Sequence, residues 1–513
     1  MDCCWSIRKS MDAREQFPHR GLPDNPVGTT SEILSGFRNL QVKSEFERQS
    51  FDSAIEYRRV IAQGLVNDTE LVLDHPGAYY DLRVYNDGAI EWYPYMFGKS
   101  LEHDLTHGFV KKSDVDKLIH AIRAGTTDSL DAIPISTTSV RKLEGVPCAL
   151  SHLATGSGAH VARLPFFYPV DSVGGAFEMM EVYSHAILRD TAFSTYSRSP
   201  VVQSICDELN QYSDKTTAPV DASGNITPQT LFRGAGPEET VGPLVSQFLL
   251  YDFMYGNLPI QQKYAIEYDA PHSVTDQGWL EIQNGSKGFE RSTQPTNFKY
   301  VGDCRGLGSK VHMDPLFQFY YNAALVAFGN GIGPSAWSHP RTTAWTDGAN
   351  PYVLATVSHV ALGALRHAWN AKWNSTMKIR PEVYAQRLHH GLRSGPDFRS
   401  NVPGLEGLIK SCLNGKDAAT HSILKRVAEA NGNGSLYLKL QYAEGSPTHP
   451  SLPAGHATVA GACTTVLKAL LQTHDDNNQK IKWQAGSRKV VEAAIEGDRL
   501  VEDNFHSLIN HYC

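Results

Sequence analysis

"YVLATVSHVALGALRHAWNAKWNSTMKIRPEVY", residues 352–384, carries the pattern on which the fold turns. Val357, Ala361, Leu365 and Ala368 recur at steps of 4, 4 and 3, the period of one buried helix face. A further step of 4 reaches Lys372, so an ammonium continues the apolar stripe. A buried ammonium requires an anion nearby or a lowered pKa. Eight residues on, Arg380 stands directly before Pro381, whose ring pushes it out of helical geometry. The guanidinium is then presented from an extended segment at a helix start. Together the two predict a cationic clamp, a bidentate fork beside a point charge. The competing reading lets Lys372 snorkel to water and pairs Arg380 with Glu382.

The same period recurs along the chain. Phe177, Met180, Ser184 and Ile187 share a face, as do Leu244, Val245, Phe248 and Leu249. Phe317, Tyr320, Ala324 and Phe328 repeat it in a segment that stops at a glycine. Polar stretches at 265–300 and 394–404 read as loops, and "DLRVYNDGAIEWYPY", 81–95, reads as a hairpin turning at Asn86-Asp87-Gly88. The expected fold is mainly α, with long helices packed as bundles, long loops and a small β-hairpin near the N-terminal side. Residues 1–45 are expected to form an arm or tail, 46–300 an N-terminal helical region, and 301–513 a C-terminal helical region.

Composition narrows the partners. With 513 residues, 41% hydrophobic and 20% charged, the chain has the make-up of a folded protein. Its net charge of −7 gives no general attraction to nucleic acid or anionic membranes, so any anion site must be local. The eight cysteines include no C-x-x-C pair, which argues against a zinc ribbon or a disulfide scaffold. No apolar run is long enough to span a membrane, and "MDCCWSIRKSMDAREQ" has no apolar core of a secretory signal. The expectation is a soluble protein of unassigned compartment. Cys3 and Cys4 are read as part of a solvated tail rather than as acylation sites.

A second stretch supplies the other half of the site. "HPSLPAGHATVAGACTTVLKALL", residues 449–471, places two histidines around a Pro-Ala-Gly turn and then runs into a helix of small residues. Gly455 falls at the helix N-terminus, where free N–H groups and the dipole favour an oxyanion. His456 in the first turn can donate a hydrogen bond to a bound group or exchange a proton with it. His449 lies upstream, in a loop stiffened by Pro450 and Pro453. The plainer reading makes Gly455 a turn residue and both histidines ordinary.

Taken together, "KWNSTMKIRPE" and "HPSLPAGHA" closely resemble the vanadium-dependent haloperoxidases of bromoperoxidase type, within the superfamily that also holds phosphatidic-acid-phosphatase-type enzymes. The segments 97–122, 176–193, 231–253 and 311–329 also look like family segments in family order. The resemblance implies a nearly all-helical fold of two packed four-helix bundles, with orthovanadate as cofactor and likeness to relatives that form oligomers. It implies Lys372, Arg380 and the Gly455 amide as vanadate-binding groups, His456 as the acid–base histidine and His449 as a second histidine near the halide. Asp314 is a candidate partner behind them. The implied chemistry is oxidation of bromide or iodide by hydrogen peroxide to hypohalous acid, which halogenates a small organic acceptor.

Two departures from the family pattern stand out. Ala454 occupies the family's serine position, and one missing hydroxyl hydrogen bond would cost about 1–3 kcal/mol of anion binding. The family's later R-N-x4-H, holding the third cation and the axial vanadium ligand, has no match after His456. Arg499 and His506 stand at the wrong spacing, and neither they nor His511 are expected to substitute. The expectation is an incomplete or inactive form with vanadate binding weakened or absent. The alternatives are an acid phosphatase-like enzyme of the same superfamily and a non-catalytic oxyanion-binding relative.

Overall fold

Buried helical stripes set the architecture of the computed structural model, which describes residues 93–471 apart from 125, 147–167, 216–217, 234–243, 267–271, 289–297, 335–337 and 347. The main helices are α1 (Lys112–Ala124), α2 (Val173–Ile187), α3 (Pro200–Leu209), α4 (Asp276–Gln283), α5 (Cys304–His312) and α6 (Gln318–Gly329). They continue with α7 (Asn350–Ala371), α8 (Pro381–Arg393), α9 (Leu405–Leu413), α10 (Ser422–Asn431) and α11 (Gly455–Leu470). Local chemistry starts them. Ser172, Ser199, Thr275 and Asp303 accept amide hydrogen bonds as N-caps, and prolines open α3, α7 and α8. Strands are few and short, the longest pair being β1 (Phe253–Tyr255) against antiparallel β2 (Leu258–Ile260).

The largest core joins α2, α3, α8, α9 and α10 through Phe177, Met180, Ile205, Leu209, Leu388, Leu408 and Leu424. A second is built from α6, α7 and α11, where Ala324, Val357, Ala361, Ala460 and Cys463 bring helices close with little side-chain bulk. A third joins α1 to the segment around 96–101, and Trp373 and Met377 belong to it. Helix α7 leads from the second core towards the third, and α8 returns into the first. The candidate site lies along that path.

The fold is helical as expected, but three segments differ in detail. Residues 244–249 form no helix, only a 3-10 turn at Gln247–Leu249. Val245, Leu249 and Leu250 enter the first core while Phe248 and Tyr251 enter the second, a division that one helix face does not provide. The polar stretch 265–300 contains α4, which is capped by Thr275 and buries Trp279 and Ile282. A short helix, Pro396–Asn401, interrupts the expected loop at 394–404. The 1–45 arm and Asn86-Asp87-Gly88 lie outside the described residues, as do Arg499, His506 and His511.

The described cysteines 206, 304, 412 and 463 are free thiols. Among the described residues no helix is long and apolar enough to cross a membrane.

Candidate oxyanion site

Lys372 ends the apolar face of α7, and the backbone then tightens into a π-helical turn, Lys372–Thr376. Met377 closes that turn in the left-handed region at φ 44°, its N–H donating to the Lys372 carbonyl at 3.0 Å. The connection to α8 is clipped from two sides: Phe97 N–H donates to Met377 O at 2.7 Å, and Ser451 N–H to Lys378 O at 3.0 Å. Arg380 has extended geometry at φ −79° and ψ 154°, and Pro381 begins α8 as the sequence predicts.

Lys372 is 1% exposed, so it does not snorkel. Its ammonium donates to the carbonyls of Pro450 and Ser451 at 2.7 and 3.0 Å and lies 5.6 Å from the Trp369 ring centre. No carboxylate among the described residues lies within ion-pair distance. Burial, then the neighbouring Arg380, pull its pKa down to about 7. Arg380 is lowered to about 10 by burial against the opposing pull of Glu382 and Glu144. Its Nη2 contacts His449 at 3.3 Å, while its Nε is buried with no hydrogen-bond partner among the described residues. The Arg380–Glu382 attraction acts without a direct ion pair.

His449 packs on Trp369 at 4.6 Å between ring centres. Its Nδ1 donates to the Pro450 carbonyl at 2.9 Å, which leaves Nε2 to accept from Arg380 at 3.5 Å. Burial, then Arg380 and Lys372, drive this imidazole down to about 2, so it is neutral. Glu144, 3.9 Å from Nε2, is therefore no ionic partner despite its proximity.

Gly455 opens α11 behind the N-cap Ala454, whose methyl offers no capping bond. The first backbone bond of the helix is Thr458 N–H to Ala454 O at 3.0 Å. The amides of Gly455, His456 and Ala457 thus have no acceptor among the described residues. A Cβ on Gly455 would come within 2.9 Å of the Trp369 ring, so the absence of a side chain permits the close approach.

His456, one residue on, is half exposed, and its Nε2 donates to the two Asp314 oxygens at 3.1 and 3.2 Å. Asp314 is thus the imidazole's partner, with its side chain only 4% exposed.

Lys372, His449 and Gly455 are brought round Trp369, and Arg380 joins through His449. Trp369 escaped the sequence reading, although its place one helical turn before Lys372 could have marked it. Glu144 and the residues that pin the loop were also missed, because their contacts span hundreds of residues. An open cavity of about 910 Å³, lined by Asp276, His389, Arg393 and Tyr437 among others, lies elsewhere and includes none of the candidate residues.

The donor set fits a tetrahedral oxyanion. Among the described residues, buried Lys372 and half-buried Arg380 have no carboxylate in contact, the Arg380 Nε has no hydrogen-bond partner, and the first-turn amides of α11 have no acceptor. Among the described residues no three His, Cys, Asp or Glu side chains gather to hold a metal cation.

No family model matches the chain. It is similar to curated proteins named vanadium-dependent bromoperoxidase. That from Corallina pilulifera is 24% identical over 92% of this chain and 90% of the relative. That from Corallina officinalis is 23% identical over the same shares, 92% and 90%. A third, from Ascophyllum nodosum, is 26% identical over 73% of this chain and 68% of the relative. Among solved structures, the homohexameric second vanadate-dependent bromoperoxidase (AnII) of Ascophyllum nodosum matches with a TM-score of 0.67 at 21% identity, over 88% of this chain and 82% of that one. At that identity the match shows a shared helical fold.

Proposed function

We propose, from the premise that this chain is a relative of the vanadium-dependent bromoperoxidases, that it is a haloperoxidase. It binds orthovanadate at Lys372, Arg380 and the Gly455 amide, and uses hydrogen peroxide to oxidise bromide or iodide for halogenation of a small organic acceptor. The observation that carries this reading is a buried ammonium beside a half-buried guanidinium, neither with a contacting carboxylate among the described residues, gathered near one tryptophan and a helix N-terminus.

Bound vanadate supplies the activation of peroxide towards two-electron attack by halide. The protein supplies fixed charge and proton control. Lys372 and Arg380 neutralise the oxyanion and draw electron density from it through fixed positive charge. The guanidinium is aimed by neutral His449, which accepts from it, and by the Pro447 carbonyl at 3.4 Å. Gly455 contributes a backbone N–H that needs no reorganisation. His456 takes a proton from peroxide through Nδ1, the ring nitrogen not engaged by Asp314. Asp314 holds the other ring nitrogen and would stabilise the imidazolium once formed.

The test is bromination of a phenolic dye with peroxide, bromide and added vanadate, run beside hydrolysis of nitrophenyl phosphate. Vanadate-dependent bromination is expected. Phosphate hydrolysis alone would move the assignment to an acid phosphatase, since the same cradle accepts phosphate. Neither activity would leave a non-catalytic oxyanion binder, the reading that Ala454 favours. Self-assembly into a homo-oligomer is part of the proposal, and light scattering of the purified protein tests it.

A further inference from the structure

Two cations outside the site's own motifs hold the loop that carries His449. Lys99 Nζ donates to the carbonyls of Glu444 and Ser446 at 3.0 and 2.6 Å. Arg141 Nη1 donates to the same two carbonyls at 3.0 and 3.1 Å. Between those carbonyls Gly445 adopts φ 69°, and a Cβ there would strike Ile282 at 2.6 Å and Lys99 Nζ at 3.1 Å. The turn is shaped so that one ammonium can reach both oxygens.

Lys99 also meets the other half of the site. It lies 3.5 Å from the Glu382 carboxylate, and both side chains are 1% exposed. Glu382 sits in the first turn of α8, two residues beyond Arg380, and it accepts the Ser446 hydroxyl. A buried ion pair gives little net stability once desolvation is charged against it, so its presence here calls for another reason. Glu382 is the strongest attractive neighbour of Arg380. With Lys99 in contact, the carboxylate has a partner and the guanidinium is free to face an anion.

We propose that Lys99 is a positioning residue of the oxyanion site: it grips the Glu444–Ser446 turn and satisfies Glu382, so that Arg380 is available to the anion. This rests on the oxyanion reading given above. Removing the ammonium leaves Glu382 buried and unpaired, and the nearest cation that can answer it is Arg380. The fork would turn from the anion to the carboxylate.

The experiment is calorimetric titration of the full chain with orthovanadate, with thermal melting of each ligand-free protein alongside. Lys99→Met is expected to bind about tenfold or more weakly, the loss of roughly one charge-assisted contact. The double variant Lys99→Met with Glu382→Gln is expected to recover most of that loss, because no unpaired carboxylate remains to capture Arg380. A purely structural role would leave the double variant as weak as the single one or weaker, and would overturn the proposal. So would wild-type affinity in Lys99→Met. Should Lys99→Met fail to fold, Glu382→Gln alone decides: it should bind vanadate at least as tightly as wild type, and a tenfold weakening refutes the mechanism. Absence of binding by the wild-type protein would instead overturn the oxyanion reading, and this proposal with it.

Discussion

Ala454 is the residue at which a single oxygen is most instructive. It holds the N-cap position of α11 with φ −68° and ψ 124°, a geometry that serine adopts freely. In Ala454→Ser the new hydroxyl oxygen can accept from a first-turn amide while its hydrogen is donated to an anion. The variant should therefore gain about 1 kcal/mol of ligand-free stability as a cap, seen in melting. Vanadate affinity should rise about fivefold or more, seen by titration.

Lys372 gives a pH prediction with a definite sign. Its pKa falls from 10.5 to about 7 in the ligand-free fold, so between these values the unfolded chain binds the extra proton. Stability from this group therefore rises with pH through that window and is lowest below it. Melting curves from pH 7 upward should show the rise in the wild type and lack it in Lys372→Met. The burial of Lys372, the extended backbone of Arg380 and the helix start at Gly455 were legible in the sequence because helix period, proline and chain turns act locally. Lys99 and Glu444 were not, since their contact joins residues 345 apart.

At the scale of elements, α7 and α11 determine where the cradle's two halves stand. Val357 and Ala361 face Val459, Ala460 and Cys463, and the Cys463 thiol reaches the Val357 carbonyl at 3.7 Å. Such a contact has no spare volume. Ala361→Leu should cost about 1–3 kcal/mol by overpacking. It should also push α11 from α7, so that vanadate affinity falls in the protein that still folds; melting and titration of the same preparation check both. The stripe on α7 was readable because Val357, Ala361 and Leu365 all face the second core. The 244–249 segment was misread for the opposite reason: its apolar residues divide between two cores. Helix α4 was missed because its polar surface residues hide a face with only two buried apolar side chains, Trp279 and Ile282.

For the whole molecule, the placement of the site relative to the cores separates stability from function. The cradle draws on α7, α8 and α11, while the opposite side of the largest core is held by a different buried network. There Glu208, 2% exposed, accepts from Lys416 and from the Ser422 amide, and lies 3.6 Å from fully buried His421. Tyr212 adds a hydroxyl 3.1 Å from that imidazole. None of these residues touches Lys372, Arg380, His449 or the first turn of α11. Glu208→Ala removes the carboxylate that answers Lys416 and accepts from the first amide of α10. It should cost about 3 kcal/mol, the low end for breaking a buried pair, because Lys416 retains access to water. Yet vanadate affinity per folded molecule should be unchanged. Denaturant unfolding measures the first quantity and titration below the transition the second. A large loss of affinity in this variant would mean that the cradle's geometry depends on the far side of the first core rather than on the three helices that build it.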